Sequence, residues 1–555
     1  MMPRRARRWR LALALGAGLG LGLGMGGLGC TRTVGTVTLT FLTSPNTDEK
    51  PLPSDASATP LTIEVRVEGP GIGVRRDTAR WVPGETHLRV PGVDLGDDRI
   101  FTVTARNELG EEVARARSLP IDITGEDLDI KLYLSLVGRS SEARTTMTSP
   151  RFRHTATPLP DGRILLAGGG RLRVRGAFVV ADDPVPHAEI YDPTSGSIVS
   201  QVPNCDSGYQ PLCMFCPRMA HVAALDLDGW PLLAGGEPTC RFSAERFASG
   251  RFEPGGEIGP SLTESAAFAT PRGVVVAGGL DLGTGEPSAE AFLATGQDVS
   301  TIEGGLHLAR YGAAAAALPN GGGVVVGGFV STPEPCPAVA SGIPCRVLGT
   351  GADPLTSVTR SIEVYDPETG VFTEIPDGLK EARAYATATA LPDGRVVIAG
   401  GLTTVPGISQ NVPTASVEVF DPRLGATGAT CDAPVGNLLL PRWLHAAVPA
   451  GTSEDDGRVI IMGGIEGNFG VIGGNVEVIP VGSGCGPMGP THYLSDKLRV
   501  PRAGHTATVM ANGAVLIAGG VTTVPDGFFA PEVPDDDDDE PDDVVSDVLD
   551  VLWLE

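Results

Sequence analysis

Residues 383–401 read RAYATATALPDGRVVIAGG: an arginine, an apolar alternation, a Pro-Asp-Gly turn, a second apolar run and a glycine pair. An Asp-Gly between apolar runs is a hairpin signal, because the turn needs residues that tolerate positive φ. The pattern recurs. Glycine pairs stand at Gly168-Gly169, Gly235-Gly236, Gly278-Gly279, Gly327-Gly328, Gly400-Gly401, Gly463-Gly464 and Gly519-Gly520. Arg151, Arg218, Arg310, Arg383 and Arg502 each precede the first glycine of their pair by 17 positions. Arg442 precedes its glycine by 21, since residues 451–456 lengthen the turn, and Ser261 takes the slot in the third copy. Four copies place a histidine three residues after the arginine: His154, His221, His445 and His505.

A third strand follows each pair, marked by an acid beside apolar residues. Glu189-Ile190-Tyr191-Asp192, Glu363-Val364-Tyr365-Asp366 and Glu418-Val419-Phe420-Asp421 are clear, and weaker copies start at Glu245, Glu290, Glu477 and Asp550. Turns such as Pro193 to Gly196 and Pro367 to Gly370 then lead to a fourth strand. A unit of four short strands cannot bury both its faces alone. Seven of them are expected to stack radially into a closed ring. The glycine pairs suit crowded inner strand ends, where a side chain has little room.

These features resemble the kelch repeat, over roughly Arg144 to Glu555. The resemblance implies an all-β, seven-bladed propeller at 144–555. Most copies lack the tryptophan common late in a kelch unit, and copy three is degenerate. The chain ends within the third strand of the last unit, so Arg144 to Met147 is expected to supply the fourth strand and close the ring.

The amino terminus differs. Arg4, Arg5, Arg7, Arg8 and Arg10 precede an uncharged Leu/Gly/Ala run, Leu11 to Gly29, that ends at Cys30. This order reads as an export signal at 1–29. Its glycine content argues against a stable spanning helix. The cysteine placement resembles a bacterial lipoprotein box, which implies lipidation of Cys30 and a cell-envelope location, at the outer membrane or cell surface. Gly27 stands where that family prefers leucine. The dinucleotide-like glycine pattern at 22–27 falls inside the signal, with no strand before it or helix after it, and is set aside. Residues 30–138 read as a small β-sandwich of immunoglobulin or fibronectin type, with strands at Val34 to Leu42, Leu61 to Val67, Thr86 to Val90, Arg99 to Ala105 and Leu128 to Leu136. Residues 139–143 read as a linker.

Gly 75 and Pro 47 mark a turn-rich chain, and the net charge of −25 argues against a nucleic-acid partner. Much of that charge lies in Asp535 to Asp543, read as a solvated loop. It lacks the spaced ligands of an EF-hand, so any calcium site there would be weak and irregular. Beyond Cys30, eight cysteines remain, an even number in a chain read as exported. Cys336 with Cys345 and Cys431 with Cys485 are candidate disulfides. Cys205, Cys213, Cys216 and Cys240 join as 205–213 with 216–240, or otherwise.

In a four-stranded meander the 2–3 and 4–1 connections share one face. Here they are long and are expected to carry nearly all the later cysteines, whereas the 1–2 and 3–4 turns are mostly tight. The long-loop face is therefore the expected recognition surface. A residue that recurs in register once per unit is expected to serve the unit, so the arginines, histidines and acids are read as structural. No catalytic, metal or cofactor-binding residue is assigned. The expected protein is a monomeric binding or scaffold module for a protein or glycan, held to the membrane by lipid alone. The alternative is a propeller enzyme, copper radical oxidase-like or carbohydrate-active, with a site assembled from loops. The tyrosine–cysteine pairing and the later domain of the former, and the repeated aspartate turns of sialidases, are not found in the sequence.

Overall fold

The computed structural model describes residues 34–554 apart from 47–48, 50, 53–60, 126, 176–177, 183, 202–204, 206–209, 238–243, 260, 331–356, 406–410, 425–435, 451–456, 468–470, 483–489, 495–496 and 523–544. The stretch read as an export signal, Cys30, Cys240, Cys336, Cys345, Cys431, Cys485 and the Asp535 to Asp543 run lie outside the described residues. The fold is all-β. Seven four-stranded antiparallel sheets account for the repeats. Sheet one holds Thr155–Pro158, Ile164–Ala167, Ala188–Asp192 and Ser197–Ser200. Sheets two to seven have first strands Val222–Leu225, Ala266–Thr270, Ala314–Ala317, Thr387–Ala390, Ala446–Ala450 and Thr506–Val509.

Register repeats with the sequence. The residue before each glycine pair faces the start of the first strand: Thr155↔Ala167, Val222↔Ala234, Ala266↔Ala277, Ala314↔Val326, Thr387↔Ala399, Ala446↔Met462 and Thr506↔Ala518. Second strands such as Val396–Ala399 and Val515–Ala518 are buried at every position, because both faces pack on neighbouring sheets. That double burial is why they read as unbroken apolar runs rather than alternations.

Neighbouring first strands pack against each other in order, and the first strand of sheet seven also packs against that of sheet one. Hydrogen bonds follow the same circuit. The N–H of each second glycine donates to a carbonyl of the next sheet: Gly169 to Arg218, Gly236 to Leu262, Gly279 to Arg310, Gly328 to Arg383, Gly401 to Arg442, Gly464 to Arg502 and Gly520 to Arg151. The last of these returns to sheet one.

The fourth strand of sheet seven is Ser140–Glu142, paired with Leu549–Leu552. This corrects the expectation of Arg144 to Met147 and puts a strand inside the stretch read as a linker. Beyond Ala143 the chain already turns toward sheet one: the Arg144 N–H donates to Gly196 O, and the Thr148 N–H to Glu189.

Before the seven sheets stand two more, packed over one core. In one, Val34–Leu42 lies between His87–Asp94, antiparallel, and Asp127–Tyr133, parallel. The other runs Arg75–Arg80, Thr62–Glu68, Gly96–Arg106, Glu112–Arg117 and Ser135–Leu136, with Ile121–Ile123 also on Gly96–Arg106. Val37, Leu39, Val65, Phe101, Val103 and Leu132 fill the space between them. Arg75–Arg80 was not foreseen because its sequence, RRDTAR, has no apolar alternation and none of its residues is buried.

This N-terminal unit docks on the tight turns of sheets one and seven. Tyr133 N–H donates to Thr194 O, Leu119 N–H to Thr194 Oγ1, and Trp553 Nε1 to Ser135 Oγ. The buried Glu49 carboxylate takes the Glu142 N–H at 2.7 Å, and Arg499 reaches Glu142 and Asp550.

Gly400 has φ +60, and a Cβ there would lie 2.6 Å from Arg442 O and 2.8 Å from His445 Cε1. Gly400→Ala is therefore expected to cost about 2–5 kcal/mol, left-handed strain plus overpacking, read as a lower urea midpoint at unchanged slope.

Candidate functional site

The recurrent arginines are buried, each at 0–1 % exposure. Each guanidinium donates to the carbonyl of the first glycine in its own sheet, at 2.7–3.2 Å. Each also faces the third-strand acid of that sheet. Arg218–Glu245 is 2.7 Å, Arg310–Glu363 2.8 Å, Arg383–Glu418 2.6 Å and Arg502–Asp550 2.7 Å. Arg442 pairs with Glu477, and Arg151–Glu189 is looser at 3.5 Å. The acids also accept N–H groups from the incoming 4–1 passage, as Glu363 does from His307 and Leu308. Burial pushes the Glu245 and Asp550 carboxyls up, and the guanidinium beside each pulls back down. Apart from Arg151 Nε and Nη2 and Arg442 Nε, which have no hydrogen-bond partner among the described residues, the donors given for these arginines go to the sheet itself, so these residues brace the strands.

Sheet three departs from the expected assignment. Leu262, not Ser261, holds the arginine position: its carbonyl takes the Gly236 N–H, and Leu262 stands four residues before Ala266. The hairpin there turns on Pro271-Arg272 alone, one of the shortest in the set, which shifts the count. Phe292, not Glu290, sits in the acid position, opposite Val276, while Glu290 is exposed. Leu262 and Phe292 belong to one apolar cluster. An ion pair in six sheets is an apolar pair in the seventh, and both partners have changed together.

Breaking one such pair strands a buried charge. Arg310→Leu alone should cost about 3–5 kcal/mol. Adding Glu363→Phe should give a double variant more stable than the sum of the single losses by about 1–3 kcal/mol, measured by urea unfolding. Strict additivity would refute the pairing.

The histidines link neighbouring sheets. His221 Nε2 meets Thr155 Oγ1 at 2.9 Å, His445 meets Thr387 at 2.9 Å, and His154 meets Thr506 at 3.0 Å. In each pair the threonine lies in the preceding sheet, four residues past its arginine. At His505 that position is Ala446, and the His505 ring nitrogens have no partner among the described residues. Burial, aided by nearby arginines, lowers His154 and His445 to about 3. They stay neutral in the fold but take up protons near pH 6.5 when unfolded. Stability is therefore expected to be complete above pH 6.5 and to fall as the pH drops toward 3. His445→Gln should flatten that slope in urea titrations between pH 6.5 and 4.

The long-loop face has its own geometry. The residue after each arginine position pairs with the residue after the glycine pair: Phe152↔Gly170, Met219↔Glu237, Thr263↔Leu280, Tyr311↔Phe329, Ala384↔Leu402, Trp443↔Ile465 and Ala503↔Val521. Most of these side chains form one buried apolar collar. One position further on, Arg153, Ala220, Glu264, Gly312, Tyr385, Leu444 and Gly504 all have φ between 51° and 61°. Their backbones form a girdle: Ala220 N–H donates to Arg153 O, Glu264 to Ala220, Gly312 to Glu264, Tyr385 to Gly312 and Gly504 to Leu444. Non-glycine residues held at positive φ carry strain of about 1–3 kcal/mol each, and such strain concentrates at functional sites.

Four polar residues converge here from sheets one, two, three and five. Arg153 Nη1 contacts Glu264 Oε1 at 2.5 Å, and the Tyr385 hydroxyl donates to Glu264 Oε2. The Arg153 guanidinium lies 5.7 Å from the Tyr385 ring centroid and 6.0 Å from that of Phe152. Glu237 is 8 % exposed, and burial pushes its carboxyl up to about 7. None of the four was singled out from the sequence. The available signal was an exception within a register: Glu237 stands where other copies have Leu280, Phe329, Leu402, Ile465 and Val521.

Loops extend from the same face. Backbone hairpins Arg171–Arg175 with Phe178–Asp182 and Leu402–Thr404 with Asn411–Pro413 prolong two 2–3 connections. A cleft of about 600 Å³ is lined by Asp281, Glu286 and Glu290. Cys205 and Cys213 form a disulfide, as one of the alternatives had it, and Cys216 is also disulfide-bonded. No described helix is long and apolar enough to cross a membrane. No protein-family model matches the chain, and no curated protein matches it.

Proposed function

We propose that the chain is an exported, lipid-anchored, seven-bladed propeller of kelch type carried on an amino-terminal β-sandwich. It binds a protein or glycan of the cell envelope through its 2–3 and 4–1 loops. The circular succession of sheets and hydrogen bonds supports the propeller reading. The kelch-like spacing and the Cys30 signal support the rest of the assignment.

One observation carries the functional reading. The sandwich docks against the tight turns at Gly162 and Gly196, where Leu119 and Tyr133 fill the glycine positions. The anchored end thus covers part of one face, and the 2–3 and 4–1 connections emerge on the other. The 3–4 connections from Ser416–Phe420 to Gly436–Asn437 and from Val476–Val481 to His492–Tyr493 are also long and belong to the anchored side, so Cys431 and Cys485 fall between those strands and not on the long-loop face. Rigid strands that present adaptable loops away from an anchor are the usual arrangement for recognition.

Replacing residues 332–355 with a short Gly/Ser turn should weaken capture of the envelope ligand at least ~10-fold at unchanged melting temperature, as a lost loop contact would. Glu368→Lys, on the tight-turn face of sheet four, should leave capture unchanged. Protease treatment of the envelope extract separates a protein ligand from a glycan. Undiminished capture by the loop variant would overturn the assignment of the face.

A further inference from the structure

The central cluster on this face has an unbalanced charge. It contains two carboxylates, Glu237 and Glu264, and one guanidinium, Arg153. Both Glu264 oxygens are engaged, one by Arg153 and one by Tyr385. Glu237 has the Thr263 hydroxyl as a hydrogen-bond partner. Among the described residues, no lysine or arginine forms an ion pair with it. A buried carboxylate without a cation costs far more than one with a partner. Leucine, phenylalanine, isoleucine or valine holds this position in five of the other copies, so the fold itself does not need an acid there.

The surroundings suit a cation. Tyr311, Phe329, Tyr385 and Trp443 form a chain of ring contacts, with centroids 5.1 Å, 5.3 Å and 5.9 Å apart in turn. Phe152 completes the aromatic side of the collar. The collar already holds one planar cation, Arg153, over two of its rings. Aromatic faces next to a carboxylate attract organic cations electrostatically. The acidic chain favours such a partner at longer range.

We propose that Glu237, at the collar position opposite Met219 and near Arg153 and Glu264, anchors a ligand cation: an alkylammonium or guanidinium group presented by a basic peptide or by an amino sugar. This rests on the long-loop face being the binding face, and it names the chemistry that the centre of that face selects.

Binding is linked to a proton. Burial raises the Glu237 carboxyl first and the Glu264 charge raises it further, while Arg153 and Thr263 oppose them. Below about pH 7 the group is mostly protonated, and a bound cation must expel that proton. Affinity should rise with pH and level off above 8, being about 30-fold weaker at pH 5.5 than at 8.5. In stability the sign is reversed: a raised carboxyl favours the fold below its ordinary range, and that contribution is lost as pH climbs to about 7.

The test is calorimetry on the purified chain with four probes: a tri-lysine peptide, its side-chain-acetylated form, a glucosamine tetramer and an N-acetylglucosamine tetramer. At least one cationic probe should bind, with its acetylated partner at least ~10-fold weaker. Its heat near pH 6.5 should depend on the buffer, reporting a released proton. Whichever cationic probe binds identifies the source of the cation. Glu237→Gln should abolish the proton release. Glu237→Leu, the residue at Leu280 and Leu402, should abolish cation binding while raising the melting temperature. No binding by either cationic probe, equal binding of charged and acetylated forms, or wild-type behaviour of Glu237→Gln would each overturn the proposal. If Glu237→Leu still captures the envelope ligand and the 332–355 variant does not, the cation anchor fails and the binding face stands.

Discussion

Each of the seven sheets hands one hydrogen bond to the next. The donor is the N–H of the second glycine in a pair, and the acceptor is the carbonyl at the neighbour's arginine position. The donor can approach only because neither glycine carries a side chain: at Gly400 a Cβ would collide with the very residues that receive the bond. Within a sheet, the arginine side chain ties the first glycine's carbonyl to the third-strand acid. One residue thus accepts a bond from the preceding sheet through its backbone and braces its own sheet through its side chain. The glycine pair and the arginine form a single device, which explains their fixed separation.

Sheet three shows which part of that device is indispensable. The backbone bond to Leu262 O persists at 2.8 Å although the guanidinium is gone. Leu262 and Phe292 fill the volume of the lost ion pair and leave no buried charge. The sheet-to-sheet bond is therefore the invariant, and the buried ion pair is one of two ways to support it. This agrees with the general energetics. A satisfied buried pair and a well-packed apolar pair are close in free energy, whereas half of either is costly. Glu237 presents the opposite exception, a charge placed where the register is apolar. There the compensation comes from Arg153 of a different sheet and from the Thr263 hydroxyl, not from a partner within the same sheet, so the position does not brace its own sheet as the recurrent acids do.

Much of the architecture was legible because spacing is set by backbone geometry. A 17-residue interval spans a hairpin of fixed register, and an Asp-Gly turn marks its tip. The failures have equally physical causes. In copy three a 17-residue count lands on Ser261 and not on Leu262 because the hairpin there is one residue shorter. Arg144 to Met147 reads as the closing strand in place of Ser140–Glu142 because short strands flanking a connection have no periodicity to separate them. The central cluster was invisible for a different reason. Arg153, Glu237, Glu264 and Tyr385 come from four sheets and meet only once the sheets are arranged around a common centre. No local pattern encodes a contact between residues 121 positions apart, as Tyr385 and Glu264 are. A comparison across copies, position by position, is what exposes them.

The closure of the set also bears on how its two faces differ. Sheet seven takes its last strand from a segment that leaves the N-terminal sandwich only three residues earlier, after Ser135–Leu136. Glu49 from the sandwich and Arg499 from the approach to sheet seven meet around that strand, with Glu142 and Asp550 between them. The sandwich therefore holds the junction of sheets seven and one and is more than a spacer. Its docking uses the tight turns, which are rigid and offer little adaptable surface. The 2–3 and 4–1 connections and the polar centre are left to the opposite face, where strain at positive φ and a raised acid are tolerated because the surrounding collar is held on all sides. A scaffold stabilised at its rim and its seam can carry an energetically unfavourable centre, and that is the arrangement a selective binding surface requires.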